Sequence, residues 1–387
     1  MEKIVWFLLL MWNFEPPYFK ELEWLDQFYI MGRFAAVYVL LLIVLMKGKK
    51  YRPGKFVIYL GLMEAVLAFS TFWNGGYSLV SFLMNEVTGI SFIVLLDYMF
   101  TTDVKVAVSV LTVHYEILIY GNFVTVFLFP QGLYNLGTGR NYWLLGQVNQ
   151  IVLYILPGIM LTLLRECYVL KKERPGIRFW ILMLISTVMS VKVWSATSVV
   201  GLVLFLALII VGEIWKIQID IKWGILLSLA VFTAFVLWRI QDIFSWFIVN
   251  ILHRNLTFST RTTVWDHALN CIKEKWLLGY GEETLERAVE RFGYMTPHNR
   301  YLYLMYKGGC ILTTVFGSMV YSGRNILQKF GETKGALYIS ACMISLFLMM
   351  QFESYNTTVF WVPFLVMFQT GEVVKESFLY TLNRSRD

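Results

Sequence analysis

Two residue types able to handle a phosphate stand at opposite ends of one polar stretch. Arg261 opens it in "STRTTVWDHALNCIKEKWLLGYGEE" (259–283), and His298 closes it in "TPHNRYLYLMYKGG" (296–309). A guanidinium binds diphosphate oxygens through two parallel N–H bonds and stays charged at any relevant pH. Arg261 lies one helical turn before Trp265, so the two share a face if the segment is helical. A histidine can relay a proton near neutral pH or donate to a phosphate, and His298 is followed directly by Asn299 and Arg300. Arg140, at the exit of the irregular stretch "FPQGLYNLGTGRNYWLLGQVNQ" (129–150), and Lys192, at the lip of "KVWSATS" (192–198), complete a basic set with Arg261 and Arg300. Taken singly, each of these cations reads equally as an interfacial anchor, and His298 as an interfacial hydrogen-bonded histidine. His114, His253 and His267 offer no pattern that would rank them.

Several chemistries find no support. The chain has no P-loop, no GxSxG, no HExxH and no DxD-like acid cluster. Its four cysteines, Cys167, Cys271, Cys310 and Cys342, lie in separate segments, so no metal site and no cofactor is indicated.

The elements that must position these residues are those of a membrane protein. Hydrophobic residues make up 58% of the 387 and charged residues 15%, with a mean hydropathy of +0.61. Soluble domains are nearer half apolar and a quarter charged. Apolar runs predict an all-α, polytopic fold with about 12 spans, at 4–14, 28–46, 56–73, 78–98, 105–128, 143–164, 179–194, 198–214, 223–240, 300–322, 335–351 and 357–371. The first is read as a short retained helix and not a signal peptide, because no small-residue cleavage site precedes "EPPYF".

The net charge of +7 sits mainly in "KGKKYRPGK" (47–55), "RECYVLKKERPGIR" (165–178) and "GRNILQKFGETKG" (323–335). Alternation puts these loops on one side. The positive-inside rule assigns that side, and both termini, to the cytoplasm. Nucleic acid is therefore not the implied partner. The chain divides into a membrane domain of nine helices (1–240), a large external loop (241–299), and a last membrane unit of three helices with a cytoplasmic tail (300–387).

Within the loop, "QDIFSWFIVNILHRN" (241–255) suits an interfacial helix. Residues 253–298 hold six Lys/Arg and six Asp/Glu, so the loop is polar without a strong field. Val264, Ala268 and Ile272 form one helical stripe, and Leu285, Val289 and Phe292 a second. Gly279 and Gly281 turn the chain between them. Glu64, Glu86, Asp97, Glu116, Lys192 and Glu353 fall within or at the ends of spans, where a charge is costly and marks function or pairing. No internal repeat supports an inverted-repeat transporter.

This arrangement resembles the O-antigen polymerase and ligase superfamily of bacterial surface polysaccharide assembly. Its members carry one large external loop late in the chain, with an Arg-x-x-x-Trp helix, a Leu-x-Gly-x-Gly turn and a closing His-Asn pair. Here those positions are Arg261 with Trp265, "LLGYGEE" with Gly279 and Gly281, and His298-Asn299. "FPQG…LLGQVNQ" and "SATS" (195–198) are similar to segments of Wzy-type capsular and exopolysaccharide polymerases. Many relatives have an arginine in the short outer turn where this chain offers Lys192, a point charge and not a fork.

The resemblance implies glycosyl transfer between polyprenyl-diphosphate-linked (undecaprenyl-type) saccharides at the outer face of the bacterial cytoplasmic membrane. It needs no metal, because cations neutralise the leaving diphosphate. It assigns catalysis to Arg261 and His298, and binding of diphosphate or acceptor to Arg140, Lys192, Trp265, Asn299 and Arg300. Implied partners are membrane lipid, a chain-length regulator and a flippase. A ligase would use the same donor site. A transporter of lipid-linked saccharide would instead spread polar groups through a central cavity, whereas the sequence concentrates them in one loop.

Overall fold

The computed structural model describes residues 2–47, 51–75, 79–136, 140–240 and 258–375. The interfacial helix expected at 241–255 lies outside them. The described residues form fifteen α-helices and one two-stranded hairpin, Tyr142–Trp143 with Gly146–Gln147. Five helical stretches are long and apolar enough to cross a membrane: Glu23–Ile43, Lys55–Asn74, Val104–Leu128, Val148–Val169 and Ala196–Trp215.

In chain order the helices are α1 (Glu2–Leu10), α2 (Glu23–Lys47), α3 (Lys55–Asn74), α4 (Leu79–Thr102), α5 (Val104–Leu128), α6 (Val152–Leu164), α7 (Ile177–Lys192), α8 (Ala196–Trp215) and α9 (Lys222–Phe232). Then follow α10 (Phe258–Glu274), α11 (Leu285–Phe292), α12 (Arg300–Gln328), α13 (Lys334–Met349), α14 (Val362–Phe368) and α15 (Thr370–Lys375).

α6 and α13 form the centre. Every residue of α6 is buried, and so is nearly all of α13, which packs on α6, α8 and α9. Hydropathy alone does not select them, since α8 is the more apolar helix yet only a third buried. Small residues do. Gly158 and Thr162 on α6, and Gly335, Ser340, Ala341 and Ser345 on α13, let neighbouring backbones approach where lipid supplies no hydrophobic drive.

Several expected spans take other forms. α1 rises only about 14 Å at 1.5 Å per residue, less than half of a ~30 Å hydrocarbon core. It packs on α5, where Phe7 and Phe14 stack on His114 at centroid distances of 4.2 and 4.6 Å. In the span expected from residue 143 the hairpin occupies 142–147, a 3-10 turn follows at Val148–Gln150, and the α-helix begins at Val152. The last expected span is divided among a short 3-10 turn at Thr358–Trp361, α14 and α15.

The break inside α12 matters most. Gly309 has φ 59° and ψ −157°, which splits the helix into an initial 300–308 segment and a longer second part. The loop turn 276–281 fills the gap. Tyr280 and Gly281 donate to the carbonyls of Tyr306 and Lys307, each at 2.8 Å, and Cys310 donates to Trp276 O at 2.8 Å. Ser70 near the end of α3 donates to Leu278 O (2.6 Å) and Lys307 O (3.2 Å), and Glu282 N donates to Thr71 Oγ1 (2.8 Å). Broken backbone at membrane depth is tolerated only when its polar groups are satisfied in this way. A Cβ on Gly309 would meet Leu277 backbone atoms at 2.3 Å.

α10 buries Val264, Ala268 and Ile272, as its stripe requires. α11 follows the expected stripe only at Phe292: Leu285 and Val289 are exposed, and Ala288 turns inward beside Phe292. Phe292 packs edge-on against Tyr306 at 4.5 Å, and that ring sets the helix's rotation.

Gly309→Val should therefore destabilise the protein by at least about 2 kcal/mol, the cost of a side chain at positive φ together with the clash. Gly317→Ala, on the same helix with nothing within 4 Å of its Cβ, should stay within about 0.5 kcal/mol. Thermal unfolding of the full-length protein in detergent measures both. Equal melting temperatures would show that the turn does not lock the break.

Candidate functional site

α10 brings Arg261 over the end of the bundle where α12 begins and α13 ends. Trp265, one turn further on, is 2% exposed, and its indole N–H donates to Pro297 O at 3.0 Å. It thus ties α10 to the segment carrying His298. Asn299 is fully buried and caps α12, its Oδ1 accepting from Tyr301 N (3.0 Å) and Leu302 N (3.1 Å). Its Nδ2 donates to Gln351 O and Oε1, and its backbone N–H to Ser354 Oγ at 3.0 Å. Arg300 N donates to Met350 O at 2.8 Å. These bonds fix the 297–300 corner to the 350–354 turn, and His298 holds a positive φ of 49° at its tip.

The centre of the site is Glu353. Its carboxylate is 5% exposed and receives three donors from three separate segments. Arg261 Nη2 lies 3.3 Å from Oε1, His298 Nδ1 3.4 Å from Oε2, and Asn149 Nδ2 donates to Oε1 at 2.9 Å. Asn149 is oriented by Thr197, whose hydroxyl donates to its Oδ1 at 3.1 Å, and Ser195 donates to Val148 O at 2.8 Å. Burial by itself would push the Glu353 carboxyl up. The hydrogen bond and charge of His298, the charge of Arg261 and the Asn149 amide outweigh it and hold the group below the ordinary carboxylate range.

An ionised carboxylate only accepts, so Nδ1 of His298 carries the hydrogen, and in the neutral form of the ring the lone pair is at Nε2. Among the described residues Nε2 has no partner, and Arg261 spends one N–H on Glu353. The arrangement can therefore take a proton at His298 Nε2 while a guanidinium binds an anion nearby. That is the base-and-orienter geometry of nucleophile activation.

The other sequence-derived residues are distributed differently. Lys192 is exposed and lies over the Phe127 ring at 6.0 Å, so its turn contributes Ser195 and Thr197 to the site instead. Arg140 is exposed, with no polar contact among the described residues. Arg300 turns away from Glu353 into a neighbouring cavity, stacked near Phe360 (5.1 Å) and Trp361 (5.7 Å). No group of three His, Cys, Asp or Glu among the described residues is placed to hold a metal ion.

The sequence marks Glu353 only as one of six costly charges at membrane depth, without a site role, and does not single out Asn149. A signal for Glu353 existed: it is an acid between the last two expected spans, on the side where the cations gather.

Comparison with known families bears on this geometry. Residues 179–317 match the family model Wzy_C, described as O-antigen ligase. Over these 139 of the 387 residues the chain is similar to an O-antigen ligase domain. That domain is shared by O-antigen ligases and Wzy polymerases, which act on lipid-linked glycans, and the protein is a multi-pass membrane protein. The match contains Arg261 and His298, while Asn149 and Glu353 lie outside it. No curated protein and no solved structure matches the chain.

The Glu353 network makes a pH-dependent contribution to stability. With its folded value depressed, that contribution is present above the unfolded carboxylate value and is lost as pH falls through the lower, folded one. The melting-temperature difference between wild type and Glu353→Gln should be largest near neutral pH and shrink only at a pH below about 4.5, the ordinary glutamate value. A difference independent of pH would mean that Glu353 is not held ionised by its partners.

Proposed function

We propose that this protein polymerises polyprenyl-diphosphate-linked oligosaccharide repeat units by glycosyl transfer on the outer face of the bacterial cytoplasmic membrane. The observation that carries the reading is the convergence of Arg261 and His298 on one buried carboxylate within reach of solvent, with both residues inside the stretch similar to an O-antigen ligase domain. The choice of polymerase over ligase is supported by Asn149 and Thr197. They belong to the "LLGQVNQ" and "SATS" segments that resemble polymerases, and they hold Glu353.

In this reaction the acceptor hydroxyl oxygen forms a bond to the anomeric carbon of the donor sugar. The bond from that carbon to the lipid diphosphate oxygen breaks. His298 Nε2 takes the hydroxyl proton, and Glu353 stabilises the imidazolium that results. Arg261 neutralises the charge developing on the departing diphosphate, the larger electrostatic contribution. The diphosphate bond supplies the free energy, in keeping with the missing nucleotide motif. Trp265 and Asn299 act by holding the His298 corner.

Deleting the protein should collapse the surface-glycan ladder on electrophoresis to a single lipid-linked repeat unit. Persistence of long glycan on the lipid carrier, with loss only from the final acceptor, would identify a ligase. Arg261→Ala should abolish chain growth with normal membrane insertion, and Arg261→Lys should restore little, since a fork becomes a point charge. His298→Ala should lower activity per inserted molecule about 10²–10⁴-fold. Unchanged activity in the histidine variant would assign it a structural role.

Orientation is tested separately, in a background lacking Cys167, Cys271, Cys310 and Cys342. Glu286→Cys should react with an impermeant thiol reagent in intact cells and Lys172→Cys should not. The opposite pattern would turn the site to the cytoplasm.

A further inference from the structure

The second feature of this end of the bundle is a cavity of ≈ 610 Å³, bounded by α2, α3, α4, the initial segment of α12 and residues 355–361. It lies within the ~300–1,000 Å³ range of small-molecule sites. Neither Arg261, His298 nor Glu353 lines it, but Arg300 and Tyr355 do, each two positions along the chain from a residue of the Glu353 network.

Its lining mixes both charge signs. Glu64 of α3 lies beside Glu86 of α4, with Glu282 close to both. Glu282 forms an ion pair with Lys307. Arg300 is 7% exposed, and its guanidinium has no hydrogen-bond or ion-pair partner among the described residues. Its Nε is buried without one, as is Glu64 Oε2. A buried donor and a buried acceptor left open beside an empty volume are costly unless a ligand or water pairs with them. Tyr303, Tyr355 and Trp361 supply aromatic faces.

Asp26, Glu64, Glu86 and Glu282 stand against Lys20, Arg33, Arg300 and Lys307 around the cavity, so a diphosphate would meet as many carboxyl groups as cations. An uncharged sugar ring pairs with both. Its hydroxyls donate to carboxylates and accept from guanidinium and ammonium groups, and its C–H faces pack on aromatic rings.

We infer that this cavity is a saccharide-binding subsite, taking an uncharged polyhydroxylated sugar unit of the lipid-linked glycan, with Glu64 and Glu86 accepting from its hydroxyls and Arg300 donating to them. The inference rests on the polymerase reading, and it supplies the sugar specificity that Arg261 and His298 lack. The sequence marks Glu64 and Glu86 as costly charges at membrane depth but does not bring them together. The structure gathers Glu64, Glu86, Arg300 and Lys307 into one cavity.

The test uses purified full-length protein in detergent and three probes. They are the lipid-linked repeat unit accumulated by a deletion strain, the saccharide released from it by mild acid, and polyprenyl diphosphate without sugar. Wild type should bind the first two. Glu86→Gln and Glu64→Gln should weaken saccharide binding at least about tenfold, the scale of a lost hydrogen bond to a charged group. They should change binding of sugar-free polyprenyl diphosphate less than about twofold. Gly89→Leu is a second route that leaves the charges in place. Gly89 lines the cavity, and its Cβ would have only Thr358 atoms near, at 3.7–3.8 Å, so leucine projects into the space. It should also abolish saccharide binding.

Undiminished saccharide binding in all three variants overturns the subsite while leaving the polymerase reading intact. So does loss of polyprenyl diphosphate binding in Glu86→Gln or Gly89→Leu, which would make the cavity a headgroup site. Failure of wild type to bind the lipid-linked unit at all would overturn the functional reading itself.

Discussion

The architecture depends on keeping one carboxylate charged where water is scarce. Glu353 is almost wholly buried at the end of the helix bundle, and an unpaired ion there would cost several kcal/mol. Its compensation comes from Arg261 on the loop helix α10, His298 at the loop's exit, and Asn149 before the central helix α6. Removing any one donor weakens the restraint on the other two. The same pairing that offsets burial also fixes which imidazole nitrogen faces outward. Stability and reactivity are therefore set by a single constraint, and the helices around it are arranged to satisfy it.

A second constraint operates on the backbone. Opening α12 at Gly309 leaves carbonyls and N–H groups that lipid cannot satisfy, so the turn 276–281 must dock there. This docking anchors the loop between α10 and α11, while Trp265 anchors α10 to Pro297. The loop is held at two points, and Arg261 reaches the Glu353 carboxylate from α10. The break also orients the initial segment of α12, which carries Arg300 and Lys307 into the cavity.

Much of this was legible in the residues. Composition and apolar runs give an all-α membrane protein, and the Val264, Ala268 and Ile272 stripe sets the buried face of α10. The Arg-x-x-x-Trp and His-Asn patterns mark two of the residues that meet. Glu353 is marked only as one of six costly charges, because its partners are 55, 92 and 204 positions away and nothing local distinguishes it from Glu64 or Asp97. Lys192 and Arg140 were read from sidedness alone, which gives a level in the membrane but no direction for the side chain. α1 looked like a span because its apolar run continues past Leu10, where the chain leaves the α-helix for a 3-10 turn. The rotation of α11 follows from a tertiary contact with Tyr306, which periodicity within eight residues cannot supply.

The central claim is that the Arg261–His298–Glu353 cluster transfers a glycan from one lipid diphosphate to another lipid-linked glycan. The most direct measurement incubates purified full-length protein with the lipid-linked repeat unit as sole substrate. Released polyprenyl diphosphate and the length of the lipid-bound glycan are then followed together by mass spectrometry. The account predicts one polyprenyl diphosphate released for each linkage added, with glycans of two and more units still carried on lipid, and neither product from Glu353→Ala. Release of lipid diphosphate without chain growth, or equal products from Glu353→Ala, would contradict it.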